Sequence, residues 1–103
     1  MRQAARVFRA LADPTRRQIL QELKAGELSA GAIVSRFEIS APSISRHLAI
    51  LKAADLVTER RQGNRILYRL EPERLALHLN DFLSNVCPTQ ILHGRRVAGR
   101  RTT

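Results

Sequence analysis

The 103-residue chain has no tryptophan, one tyrosine, three phenylalanines and a single cysteine, Cys87. With so few rings the core must be built from Leu, Ile, Val and Ala, and a chain this short closes one such core with little apolar surface to spare. A lone cysteine cannot form an internal disulfide, which fits a reducing, cytoplasmic setting. No apolar run approaches the ~20 residues that cross a bilayer. The opening Met1-Arg2-Gln3-Ala4-Ala5 leads into an amphipathic pattern and not into an apolar signal core. Internal repeats are absent, as is a phosphate-binding glycine loop. The three histidines are dispersed and no acidic pair stands beside a nucleophile, so an enzyme is not expected.

Lysine is scarce as well, with 2 Lys against 16 Arg, yet the formal charge reaches +9. Four of those charges, Arg95, Arg96, Arg100 and Arg101, fall in the last nine residues, so residues 1–93 carry +5 (9 − 4). Such a balance favours a polyanion, because each neutralised phosphate releases condensed counterions. Arginine suits that partner, since its planar fork pairs with phosphate or with a guanine edge through two hydrogen bonds. General solubility, or a codon bias toward arginine, would leave the same composition.

Ala5, Phe8, Leu11 and Ala12 recur at helical spacing and predict an amphipathic first helix over residues 2–12. Asp13-Pro14 is an N-cap followed by a proline at the first helical position, which opens a second helix over about 14–25, ended by Gly26. Ser29 caps a third helix with Ala30, Ile33, Val34 and Phe37 inward. After the break Glu38-Ile39-Ser40, a fourth helix over about 41–54 buries Ile44, Leu48 and Leu51, which turns Ser43, Arg46, His47 and Ile50 toward other faces. Leu56–Arg61 and Arg65–Leu70 are strand-like around Gln62-Gly63-Asn64, which supplies the positive φ of a hairpin turn. Glu71-Pro72 starts a fifth helix, and Pro88 stops or displaces it. From Gly94 the Arg/Gly/Thr tail looks disordered. The expected fold is mainly α: five helices and a two-stranded β-hairpin wing in the order α-α-α-α-β-β-α, with one domain over 1–93 and a basic tail over 94–103.

Helix, short turn, helix and basic wing is the winged helix-turn-helix arrangement. Three spaced motifs strengthen it: Asp13-Pro14-Thr15-Arg16-Arg17-x-Ile19-Leu20; Ser40-x-Pro42-Ser43-Ile44-Ser45-x-His47-Leu48-x-x-Leu51; and Leu56-Val57 with Arg61-x-Gly63-x-x-x-x-Tyr68. Over about residues 5–86 the chain resembles the ArsR/SmtB repressors. The resemblance implies a bacterial or archaeal homodimer that binds double-stranded DNA at a palindromic operator and represses transcription; many members release DNA on sensing a metal or an oxidant. It also implies that the fourth helix enters the major groove, with Ala41, Pro42, Ser43, Ser45, Arg46 and His47 on the matching face. Arg46 is the one long side chain there able to make a bidentate guanine contact. His47 has two readings, a base or phosphate contact and a tie between helices. Arg61 and Arg65 bracket the wing turn and should reach phosphate or the minor groove, whereas Arg16 and Arg17, just inside a helix start, read as structural or peripheral. Apolar stripes on the first and last helices make Ala5, Phe8, Leu75, Leu79, Phe82 and Val86 the candidate dimer interface.

The family's thiolate sensors carry Glu-x-Cys-x-Cys ahead of the helix-turn-helix. Here the stretch is Glu27-Leu28-Ser29-Ala30-Gly31, so both sulfur ligands are missing. On the last helix Asp81-x-Leu83 stands where the other metal site has Asp-x-His, and His78 and His93 are at the wrong spacing. His78 and Asp81 supply two ligands where three or four are needed. No metal or other cofactor is expected, and Cys87 lacks a resolving thiol in its own chain. Control would then come from the protein's own level, or from a redox or small-molecule effector that the residues do not reveal. Two rival classes are a nonspecific architectural DNA binder, favoured by the arginine tail, and a protein–protein winged helix, disfavoured by Arg46, Arg61 and Arg65.

Overall fold

The computed structural model describes residues 2–88. The expected tail over 94–103, and His93, lie outside the described residues. Five helices and three short strands follow in the order α1 (Arg2–Leu11), α2 (Pro14–Glu22), β1 (Leu28–Ser29), α3 (Ala30–Val34), α4 (Ala41–Ala53), β2 (Val57–Gln62), β3 (Arg65–Leu70) and α5 (Pro72–Val86). A 3-10 turn, Leu23–Ala25, finishes α2 where an α-helix to residue 25 is expected. Gly26 then takes φ 150°, a conformation essentially restricted to glycine.

Three helix starts use the caps that the sequence announces. Asp13 accepts from the Arg16 amide at 3.0 Å, Ser29 from the Ala32 amide at 3.1 Å, and Ser40 from the Ser43 amide at 3.3 Å. Each satisfies an N–H that has no partner inside its helix.

The sheet has three strands, not two: β1 pairs antiparallel with β3, Leu28 facing Tyr68 and Ser29 facing Leu67. A strand of two residues carries no alternation to detect, and Ser29 serves at once as strand end and as α3 cap. Helix α3 is one turn shorter than expected at its C-terminal end, with Phe37 packed on the core from beyond it. In the hairpin, Gln62 pairs with Arg65 across the two-residue turn Gly63-Asn64. Positive φ is confined to Gly63 there (65°), the requirement of a turn with glycine first.

The core joins Val7 and Ala10 of α1, Ile19 and Leu20 of α2, Leu23, Ile33, the Ile44–Leu48–Leu51 stripe of α4, and Ala54, Leu56 and Val57. Burying each large aliphatic side chain contributes roughly 1.5–3 kcal/mol. In α1 the inward face differs from the expected one. Val7 and Ala10 are fully buried, whereas Ala5 and Phe8 lie on the exposed side. The spacing of Ala5, Phe8 and Ala12 is helical, but it marks the outer face.

The α4–β2 joint is tightly tied. Asp55, φ 61°, occupies the left-handed position after the helix; its amide donates to the Lys52 carbonyl at 2.9 Å and that of Leu56 to the Leu51 carbonyl at 3.0 Å. This is a Schellman closure with aspartate where glycine is usual. Helix α5 ends at Val86, two residues ahead of Pro88, and none of its residues is fully buried.

Candidate nucleic-acid interface

Burying Ile44, Leu48 and Leu51 fixes the rotation of α4 and exposes Ala41, Pro42, Ser45 and Arg46, with Ser43 and His47 half-buried. A hydrogen-bond ladder runs along the exposed N-terminal turns. Ser40 Oγ donates to Ser43 Oγ at 3.1 Å, and Arg46 Nη2 donates to the same oxygen at 3.1 Å. Ser43 thereby holds the Arg46 guanidinium along the start of the helix, where the macrodipole adds positive potential.

His47, the next residue, is tied down. Its Nδ1 lies 3.2 Å from Arg16 Nη1 and 3.9 Å from Asp13 Oδ2. Arginine can only donate, so that contact requires Nδ1 to be the unprotonated acceptor. Arg16 also donates to two carbonyls at the end of α1, Ala10 at 2.8 Å and Arg9 at 2.9 Å. Arg17 serves the Leu11 carbonyl at 2.7 Å. Two arginines of α2 thus cover three carbonyls at the end of α1, of which only that of Arg9 also accepts a backbone amide, from Ala12 at 3.1 Å. The same corner holds the Asp13 carboxyl below its ordinary range, through the Arg16 amide first and against an opposing effect of burial, with the Arg16 charge adding to it. This linkage joins residues 31 positions apart, and nothing in local spacing announces it.

The strand register places Arg61 opposite Ile66 and Arg65 opposite Gln62. Directly paired residues point to one face, so Arg61 and Arg65 project from opposite faces of the hairpin. Arg65 shares its face with Arg60 and Arg69. Arg60 itself is occupied: its fork grips Glu27 with Nε and Nη2 at 2.7 and 2.9 Å. That bond holds the Glu27 carboxyl below its ordinary value and raises the Arg60 guanidinium.

Four further acids are likewise engaged. Glu22 pairs with Arg36 at 2.7 Å, Glu59 with Lys52 at 3.3 Å, Glu71 with Arg69 at 3.2 Å and Asp55 with Arg74 at 3.4 Å. Among the described residues, Arg46, Arg61 and Arg65 form no ion pair with a carboxylate. The start of α4 and the tip of the wing therefore offer uncompensated cations.

Of the six candidate interface residues, Phe8 and Phe82 meet within one subunit, rings 5.2 Å apart and edge to face. Both remain substantially exposed, as does Val86, while Leu75 and Leu79 are half-buried. At the absent thiolate pair, the Ser29 hydroxyl is committed to capping α3. Among the described residues, no three His, Cys, Asp or Glu side chains converge as metal ligands, and no helix is long and apolar enough to cross a membrane.

Comparison with known proteins agrees with this geometry. A family described as a helix-turn-helix domain matches residues 11–60. The transcriptional repressor SdpR of Bacillus subtilis is 47% identical over 78 residues, covering 76% of this chain and 87% of that protein. Several other curated relatives are longer, and the matched part spans 53–66% of their length. A crystal structure of an ArsR-family transcriptional regulator superposes with a TM-score of 0.76 at 27% identity, over 93% of this chain and 95% of the other. The homodimeric winged helix-turn-helix DNA-binding domain of Mb0332 from Mycobacterium bovis gives 0.67 at 31% identity, over 93% and 87%. With the fold, the motifs and a close repressor relative in agreement, the chain belongs to the ArsR/SmtB family of winged helix-turn-helix transcriptional regulators, which are DNA-binding proteins and not enzymes.

Proposed function

We propose that the protein is a homodimeric, sequence-specific repressor that reads a palindromic operator with α4 and grips the flanking backbone with its wing. The observation that carries this reading is the distribution of charge. Among the described residues, five arginine or lysine side chains are paired with carboxylates, while Arg46 at the start of α4 and Arg61 and Arg65 beside the wing turn have no such partners, as is also true of the cations of α1, α2 and Lys24. In this reading Arg46 recognises guanine, Ala41, Pro42, Ser43 and Ser45 line the groove beside it, and Arg61 and Arg65 bind phosphate or the minor groove. His47 serves first as the tie to Arg16.

The exposed Phe8–Phe82 pair and Val86 support pairing of two subunits through α1 and α5, as does the homodimeric state of the Mycobacterium bovis neighbour. A two-fold axis would set the two α4 helices about one DNA turn apart, hence the palindrome. With Ser29 and Gly31 in place of thiolates, the switch does not use the sulfur site of the family's arsenic and cadmium sensors. Selection of bound genomic fragments, followed by titration across a salt series, tests the reading. A shared palindrome bound at least a hundredfold tighter than scrambled DNA is the expected result; enrichment without any motif would leave a nonspecific architectural binder instead.

A further inference from the structure

Outside α1 and α5, two large apolar side chains are exposed among the described residues, Ile39 at 40% and Ile50 at 38%. Ile39 directly precedes the Ser40 cap of α4, with Ile44 at the fourth helical position. That is the spacing of a hydrophobic staple, so its apolar character serves the helix start. Ile50 has no such task. It lies about 125° around the helix from the middle of the buried Ile44–Leu48–Leu51 stripe. Ser43, Arg46 and Ile50 follow at i, i+3 and i+7, which puts them on one ridge. The polar ladder of Ser40, Ser43 and Arg46 thus continues into a branched apolar side chain that faces solvent.

We propose that Ile50 is a specificity-determining residue that packs on the C5-methyl group of a thymine in the major groove. The proposal rests on the operator-reading role of α4. One helical turn separates Ile50 from Arg46, about 6 Å along the axis, which corresponds to one or two base steps. Thymine alone presents a methyl group on the groove floor, and an apolar side chain is its matching contact. Against a purine edge or the cytosine amine the same side chain would strip water from polar atoms and return no hydrogen bond. Ile50 would therefore select by attraction at one base and by desolvation at the other three.

The experiment uses the full chain and its selected operator, with each thymine replaced in turn by 2′-deoxyuridine, which deletes only the methyl group. Wild-type protein should bind three- to fivefold more weakly at one thymine of each half-site, about the effect of one buried methyl. Ile50→Ala should lose a similar factor on the unmodified operator and then be indifferent to deoxyuridine at that position. Wild-type indifference at every thymine overturns the proposal and requires no variant to fold. Undiminished methyl sensitivity in Ile50→Ala overturns it too, and would assign Ile50 to the sugar–phosphate backbone or to packing. A selection that yields no motif overturns the operator-reading role itself, and this proposal with it.

Discussion

Arg60 and Arg61 are neighbours on β2 and identical in chemistry, yet they belong to different regions of the molecule. Arg60 closes a two-bond fork on Glu27 and stitches the wing to the residue that precedes β1; Arg61 has no carboxylate partner among the described residues and stands near the wing tip. The same division separates His47, held by Arg16, from Arg46, whose only described partner is the Ser43 hydroxyl. A basic composition therefore says little about where a polyanion would sit. Position relative to the acids says more, because a paired guanidinium has spent both its charge and its donors on the fold.

Removing a cation that has no carboxylate partner should impair recognition more than stability. Arg46→Ala should weaken operator binding about 10- to 100-fold and relax the preference at one base position, measured by repeating the fragment selection with the variant. Loss of affinity without any change of preferred sequence would return Arg46 to backbone contact. A tied cation should behave differently. Arg16→Ala removes the donor that covers two α1 carbonyls and the His47 contact, so chemical denaturation should show a loss of about 1–2 kcal/mol. Its selected motif should be that of the wild type; a new motif would mean that Arg16 reads DNA.

Smaller effects are expected at the wing. Arg65→Ala should lower affinity about fivefold on every sequence and reduce the slope of log affinity against log salt by about 0.9, the signature of one lost phosphate contact. Glu27→Gln should act in the opposite direction. Releasing Arg60 and deleting a negative charge should raise affinity for nonspecific DNA about twofold, with a steeper salt slope. The pH dependence has a defined sign. Because Arg60 holds the Glu27 carboxyl below its ordinary value of 4.5, the pair stabilises the fold above that pH and its contribution is lost as pH falls further. Wild-type and Glu27→Gln unfolding curves, separated at neutral pH, should converge as pH falls through the lowered Glu27 pKa.

Much of this was legible from residue order because helix starts are chemically local. Asp13-Pro14, Ser29 and Ser40 each place an acceptor within three residues of the amide that it caps. The buried stripe of α4 and the Gly63 turn are likewise short-range signals, and from them the winged fold follows. The expected exposure of Ser45 and Arg46 followed in turn from placing the apolar positions first. What escaped depends on distant partners. The pairing of Leu28–Ser29 with β3 spans some forty residues, and the Arg16–His47 contact spans 31. In α1, two helical stripes compete, and only contact with the rest of the chain decides that Val7 and Ala10 go inward. Bracketing a turn did not reveal that Arg61 and Arg65 face opposite ways; the register does. Asp55 in the left-handed region gives no cue at all, since glycine is the residue that advertises that conformation.

That aspartate has a kinetic consequence. Between the last residue of α4 and the first of β2 lie only Ala54, Asp55 and Leu56; all three amides are bonded back to α4, and both flanking side chains are fully buried. A link so short and so fully bonded leaves no hinge between helix and wing. The two elements should rotate as one body, so contacts in the groove and along the backbone would be surrendered together. Dissociation from an operator should then follow a single exponential per subunit, without a phase in which the wing lets go first.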